Sequence, residues 1–238
     1  MHRFFVQPFA DEQVVFSPEQ AHQISMVLRM GLGERVVVLD NAGWEYEVEL
    51  VGVERRRVTA VIVAQRPVAN EPAIQLTLYQ SLLKRDNFEW VLQKGTEIGV
   101  TRFVPLITER TVARPARKPD RWQRILTEAA EQSRRGRIPA LAEPLKLAQA
   151  LGELPSGQPA LIPWVGAGDG GMRAVLSDGA TAVSLFIGPE GGFTAAEVEQ
   201  AQRHGVIPIS LGKRVLRAET AAVAAATVVM HLMGEMGT

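Results

Sequence analysis

The chain has no cysteine in 238 residues. That absence excludes disulfide crosslinks, thiolate nucleophiles and cysteine-ligated zinc together. Histidine is scarce as well: His2, His22, His204 and His231 are the only four, and none lies at ligand spacing from another, so no metal centre is expected. No apolar run approaches the roughly 18 residues that a membrane span requires, and Met1-His2-Arg3-Phe4-Phe5-Val6 lacks the apolar stretch of a secretory signal. The expectation is a cytoplasmic protein with no membrane partner. An excess of one charge is missing too, since 26 Lys and Arg balance 26 Asp and Glu. A general grip on a polyanion is therefore not written into the chain, and any nucleic-acid site must be local.

One local excess exists. Between Arg110 and Arg137 nine basic residues (110, 114, 117, 118, 121, 124, 134, 135 and 137) face three acids (120, 128 and 131). With 46% hydrophobic and 22% charged residues the chain can bury a substantial core, and its length suits two small domains.

Up to about residue 66 the pattern is of short strands rich in Val, Phe, Tyr and Trp: 4–6, 14–16, 35–40, 45–53 and 58–64. Ser17-Pro18-Glu19 predicts one helix start, with an N-cap, a proline at the first helical position and an acid in the first turn; Gly31 predicts its end. A small β-barrel with one helix is expected, because closure removes exposed strand edges. Residues 67–72, Pro-Val-Ala-Asn-Glu-Pro, break regular structure twice and predict the boundary: a first domain over 1–68, a linker over 69–73, a second domain over 74–238. Beyond it strands (74–80, 102–108, 160–164, 184–187, 208–211) alternate with helices (87–98, 121–135, 195–204, 219–236), which predicts a parallel α/β sheet. Thr194, Glu197 and Gly205 supply cap, capping-box partner and terminator for the helix over 195–204.

Ligands of open α/β sheets bind outside the carboxyl ends of the strands, so the residues after each strand are the candidates. Three segments stand out: Leu161-Ile162-Pro163-Trp164; the loop after Ile187, Gly188-Pro189-Glu190-Gly191-Gly192; and Leu211-Gly212 leading through Val215-Leu216 to Arg217, Glu219, Thr220 and Ala221. Glycines let backbone approach a ligand closely. The loop at 188–192 reads equally as a plain strand-to-helix turn, and Arg217 as a surface ion pair with Glu219. A rival pattern is GxGxxG over Gly166–Gly171, with Glu190 at a distance suited to a ribose; it would mean a dinucleotide fold, although 172–176 is short for a crossover helix. The last helix carries Ala221, Ala222, Ala224, Ala225 and Ala226, which reads either as intrachain close packing or as a face for a second subunit.

Taken together, these segments resemble the SPOUT class of RNA methyltransferases, and within it the family that methylates N3 of a uridine in small-subunit ribosomal RNA. The resemblance spans nearly the whole chain. It rests on His22 with Val27-Leu28-Arg29-Met30, Gln93-Lys94-Gly95-Thr96-Glu97-Ile98-Gly99-Val100, Glu131-Gln132-Ser133-Arg134-Arg135, Ile187 to Gly192, and Leu211-Gly212 with Arg214 to Ala221. It implies a PUA-like β-barrel before a parallel sheet with a deep trefoil knot, and a homodimer formed through the knotted domain. It further implies S-adenosyl-L-methionine bound among Leu161, Pro163, Ile187 to Gly192, Leu211, Gly212, Val215, Leu216, Thr220 and Ala221. Ribosomal RNA, free or in the assembled small subunit, would meet Arg3, Arg29, Arg134, Arg135 and Arg137. The Gly166–Gly171 segment is more glycine-rich than the family pattern.

Methyl transfer from a sulfonium is an in-line displacement, in which alignment alone is worth roughly 7–11 kcal/mol. Lacking a thiolate, the chain cannot methylate pyrimidine carbon 5 through a cysteine adduct, which leaves nitrogen or oxygen acceptors. Arg217 is expected nearest the reacting base, with Glu219 orienting it or helping to remove the proton. The competing expectations are a different RNA nucleoside, at nitrogen or the ribose 2′-oxygen, and an RNA-binding protein that keeps the fold without catalysis.

Overall fold

The computed structural model of the chain describes residues 1–6, 13–112, 119–168, 171–176 and 179–237. They form two compact units. The first comprises Met1–Glu71 together with Ala130–Ile138, and the second Pro72–Ala129 together with Pro139–Thr238. The break at Glu71 lies within the stretch read as a linker. The inclusion of 130–138 in the first unit differs from the contiguous division expected from sequence.

In the first unit, β1 (Arg3–Phe5), β2 (Gln13–Val15), β3 (Arg35–Leu39), β4 (Trp44–Glu54) and β5 (Arg57–Pro67) form one sheet in the order β1-β3-β4-β5-β2. Alternation puts Val36, Val38, Val48, Leu50, Val58 and Ala60 on one face, where they enclose a core with Phe4, Val14, Phe16, Ala21 and Ile24. Among the described residues no backbone ladder joins the edge strands β1 and β2, so the expected closure is not made by hydrogen bonds. Side chains bridge it instead: Phe4 and Phe16 meet edge to face at 5.8 Å. Helix α1 (Pro18–His22) starts as its sequence predicts, with Ser17 Oγ accepting from Gln20 N–H and Gln20 Oε1 accepting from Ser17 N–H. It does not continue to Gly31. The chain widens into a π-turn over Gln23–Val27, where Ser25 Oγ donates back to Ala21 O at 2.7 Å, and Arg29 then turns left-handed at φ 55°.

Several hydrogen bonds bind residues 130–138 into this unit, at least three of them to one carboxylate. Glu71 accepts from Arg135 Nη2 (3.1 Å), Gly136 N (2.7 Å) and Arg137 N (3.1 Å). The Arg135 side chain is only 4% exposed. Glu131 Oε1 in turn accepts from Phe5 N at 2.9 Å.

The second unit holds β6 (Gln75–Ser81), β7 (Arg102–Ile107), β8 (Ala140–Leu141), β9 (Leu145–Lys146), β10 (Ala160–Pro163), β11 (Ala182–Ile187) and β12 (Ile207–Ile209). Every pairing is parallel, in the order β12-β10-β11-β6-β7-β8 with β9 also on β7, so all carboxyl ends lie along one edge. The helices are α2 (Asn87–Ile98), α3 (Pro119–Gln132), α4 (Leu147–Gly152), α5 (Met172–Val175), α6 (Ala195–Arg203) and α7 (Ala218–Leu232). Tyr79 of β6 stacks on Phe186 of β11 at 4.3 Å, amid Val104, Ile162, Phe193 and Val198. Burial holds the Tyr79 phenol neutral, its pKa above the ordinary value.

This is the expected α/β class: a small, mainly antiparallel sheet followed by a parallel one. The dinucleotide alternative falls on its own geometry, since α5 has four residues and the strand order is not that of a dinucleotide fold. From β12, outermost in the sheet, the chain returns past β10 to lay α7 against α2, β11 and β6. Ala222, Ala225 and Ala226 are buried there, so intrachain close packing is one use of the alanine-rich helix.

Removing the Glu71 carboxylate breaks its ion pair with the buried Arg135 guanidinium and takes an acceptor from the Gly136 and Arg137 amides. Glu71→Ala should lower unfolding free energy by roughly 3 kcal/mol, read by denaturant titration.

Candidate active site

The loops after β10, β11 and β12 emerge side by side at the carboxyl edge, because β10 lies between the other two strands. The loop after β11 is the most constrained. Gly188 is packed so closely that a Cβ would sit 3.1 Å from Phe193 N and 3.3 Å from Gly192 C, and Gly192 has φ 65°. The turn is closed by Gly192 N donating to Pro189 O at 2.8 Å.

Three ties brace this loop against its neighbours on the β6 and β7 side. Glu197, 9% exposed, accepts from Thr194 N through Oε2 and from Glu109 N through Oε1, both at 2.8 Å. One carboxylate thus caps α6 and anchors the loop leaving β7. Arg110 Nη1 donates to Gly191 O at 2.8 Å, and its aliphatic stem lies where a Gly191 Cβ would come within 3.3 Å. Glu190 Oε1 accepts from Lys84 N at 2.8 Å, on the loop leaving β6. The Glu190 side chain therefore faces β6, away from β10 and β12, and contributes to the β10–β12 side only through its backbone.

Of the first segment, Leu161 is fully buried in β10, paired with Leu185 and Ile207, while Pro163 and Trp164 stand at the strand's end. After β12, Gly212 at φ 101° donates its N–H to Ser210 Oγ at 3.1 Å, and Leu211 and Leu216 are partly buried. Val215 is 81% exposed, and Val165, following β10, is 83% exposed. Arg217 is the exposed N-cap of α7, with Glu219 in the first helical turn, Thr220 exposed and Ala221 partly buried. Among the described residues no ion pair joins Arg217 to Glu219, so the surface-pair reading has no support.

Beside these loops lies a largely apolar cavity of about 340 Å³, lined by Gly171, Met172, Arg173, Ser210, Leu211, Ala224, Val228 and Leu232. Only Leu211 belongs to the set predicted from sequence. The short α5, too small to register as a helix by periodicity, supplies the rest of its near wall. Among the described residues no group of His, Asp or Glu could hold a metal ion.

The basic residues separate by environment. Arg3 is paired with Glu45, which Arg66 also meets at 2.5 Å. Burial pushes the Glu45 carboxyl up, but hydrogen bonds from Arg3 and Arg66 outweigh it and leave the group below its usual range. Arg135 is engaged with Glu71, as described. Arg29 and Arg134 are exposed in left-handed conformations, and exposed Arg137 donates to Ala42 O at 3.0 Å. Arg114, Arg117 and Lys118 of the basic stretch lie outside the described residues. Sequence reasoning missed Lys84, Glu109 and Arg110; only the Thr194–Glu197 capping box hinted at them, and it signals a helix start, not the second hydrogen bond that Glu197 makes.

Comparison with known proteins yields a family and close structural kin. The family model described as "RNA methyltransferase domain" matches residues 70–230. Ribosomal RNA small subunit methyltransferase E of Synechocystis is 35% identical over 226 residues, 92% of this chain and 74% of that protein. Its counterpart in Bacillus subtilis is 31% identical, with 93% of each chain covered. The crystal structure of the Neisseria gonorrhoeae enzyme of the same name, bound to S-adenosyl methionine, superposes with a TM-score of 0.91 at 32% identity, covering 98% of both chains.

Because the Glu197 carboxylate accepts from the amides of both Thr194 and Glu109, Glu197→Ala should cost about 1–3 kcal/mol. The Glu109 and Thr194 amides should exchange with solvent faster than in the parent, measured residue by residue.

Proposed function

The chain belongs to the RNA methyltransferase family whose model spans residues 70–230, and from that membership we propose that it methylates N3 of a uridine in small-subunit ribosomal RNA. The observation that carries this reading is the set of three neighbouring loops at one sheet edge, two of them shaped by glycines, in a chain that aligns end to end with a relative holding S-adenosyl methionine.

S-adenosyl-L-methionine supplies an electrophilic methyl group when bound. The residues present fit it: Pro163, Leu211, Val215 and Leu216 offer apolar surface, while the backbone of Ile187 to Gly192 and of Gly212 offers hydrogen-bonding groups, with no Cβ at Gly188, Gly191, Gly192 or Gly212. Leu161, Thr220 and Ala221 support the same pouch from β10 and α7. No described group outside the loops is needed to hold a metal. The returning path from β12 to α7 is the segment that the trefoil knot would thread.

Uridine N3 must lose its proton to become nucleophilic. Arg217 and the positive N-terminal end of α7 favour the resulting anion, and Glu219, two residues further on, orients Arg217 or takes the proton. In the first unit Arg29, Arg134 and Arg137 present exposed guanidinium groups to RNA phosphates, whereas Arg3 and Arg135 serve mainly to hold their own surroundings. Ala224, Val228 and Leu232 leave an apolar stripe on α7 that a second copy would cover, forming the homodimer. Free rRNA or the assembled small subunit is the partner, and the cytoplasm the place of work.

Arg217→Ala should reduce transfer of tritiated methyl groups to unmodified small-subunit RNA by about a hundredfold or more, with donor affinity within a few fold and with a dimeric mass by light scattering. Unchanged turnover contradicts the assignment, and no transfer by the parent protein favours an RNA binder without catalysis.

A further inference from the structure

The loop leaving β6 has a role that the donor pouch does not use. It is pinned from both sides: Leu82 N donates to Leu106 O of β7 at 3.0 Å, and Lys84 N donates to Glu190 Oε1 of the β11 loop at 2.8 Å. Directly after the second pin Arg85 is held left-handed at φ 57°, a conformation uncommon for a residue other than glycine. Lys84 and Arg85 are both exposed.

The neighbouring acids are taken by another residue, since Arg121 meets Asp86 at 4.0 Å and Glu89 at 2.5 Å. Among the described residues no carboxylate pairs with Lys84 or Arg85. Arg110, by contrast, is engaged with Gly191 O. A pair of cations on a backbone held at Lys84 N, without an ion pair among the described residues, therefore stands next to the β11 loop, one strand spacing of about 4.8 Å along the sheet.

We infer that Lys84 and Arg85 bind two phosphates of the RNA strand that carries the target nucleotide, and so set its register at the catalytic edge. This rests on the reading of RNA as substrate and extends it to a surface of the second unit. Glu190 acts as the positioning residue: by holding Lys84 N–H it couples the phosphate contacts to the loop that flanks the donor. Preorganised cations bind phosphate without first ordering a mobile loop, which favours one register over others.

The test compares the salt dependence of RNA binding in the full-length protein and in Lys84→Met and Arg85→Asn variants. Asparagine is chosen at 85 because it tolerates the left-handed backbone. Each phosphate contact on a single strand contributes about 0.7 to the slope of log affinity against log salt. The double variant should lose about 1.4 of that slope, and the KM for RNA should rise at least tenfold. Arg203→Gln, on the exposed side of α6, should leave the slope unaltered. A parental slope in the double variant, with donor affinity intact by calorimetry, overturns the inference. Should donor affinity fall as well, the single variants decide: a loss of about 0.7 in each supports the phosphate contacts, and no loss in either refutes them. A parent protein that binds RNA but transfers no methyl group refutes the methyltransferase reading alone, because the slopes report RNA binding only.

Discussion

The carboxyl edge of the parallel sheet is organised around the carboxylate of Glu197. It is nearly buried, and it accepts from Thr194 N and Glu109 N at once, so the start of α6 and the loop leaving β7 cannot move independently. Buried polar groups must be paired, and here each partner satisfies the other. With Arg110 on Gly191 O and Glu190 on Lys84 N, the glycine loop is held from three points on one side and left open on the other. A loop so braced presents backbone groups in a set geometry, which a reaction governed by alignment requires.

The parallel sheet makes this possible. Because all its strands run one way, the loops after β6, β7, β10, β11 and β12 share an edge although the residues they carry are as far apart in sequence as Lys84 and Arg217. α7 then brings Arg217 and Glu219 to that edge by packing its small residues tightly on α2 and the central strands. Close packing of alanines and the placement of the proposed catalytic side chains are thus two results of one helix.

Much of this is legible in the amino-acid order. The capping residues Ser17 and Thr194 mark helix starts correctly, and the alternation of strands and helices beyond residue 74 announces a parallel sheet. Glycines at 188, 191, 192 and 212 mark two loops that the sheet brings to one edge. What is not legible depends on long-range contacts. Residues 130–138 read as the end of a helix in the second domain, yet Glu71 binds Arg135, Gly136 and Arg137 into the first. Glu190 reads as part of the donor loop, or as a ribose-binding acid in the rival dinucleotide reading, and its side-chain partner proves to be a backbone amide 106 residues away. Arg3 and Arg135 read as free cations, and carboxylates distant in sequence engage them. A charge count cannot distinguish a guanidinium that is available from one that is committed.

The central claim is that the braced glycine loop forms one wall of the donor site. Calorimetric titration with S-adenosylhomocysteine tests it most directly, using the parent protein and Gly188→Ala, where the added Cβ would press on the backbone of Phe193 and Gly192. The account predicts one binding event per chain in the parent and at least tenfold weaker binding in the variant, about 1.4 kcal/mol or more. No heat in the parent, or equal affinity in the two, would contradict it.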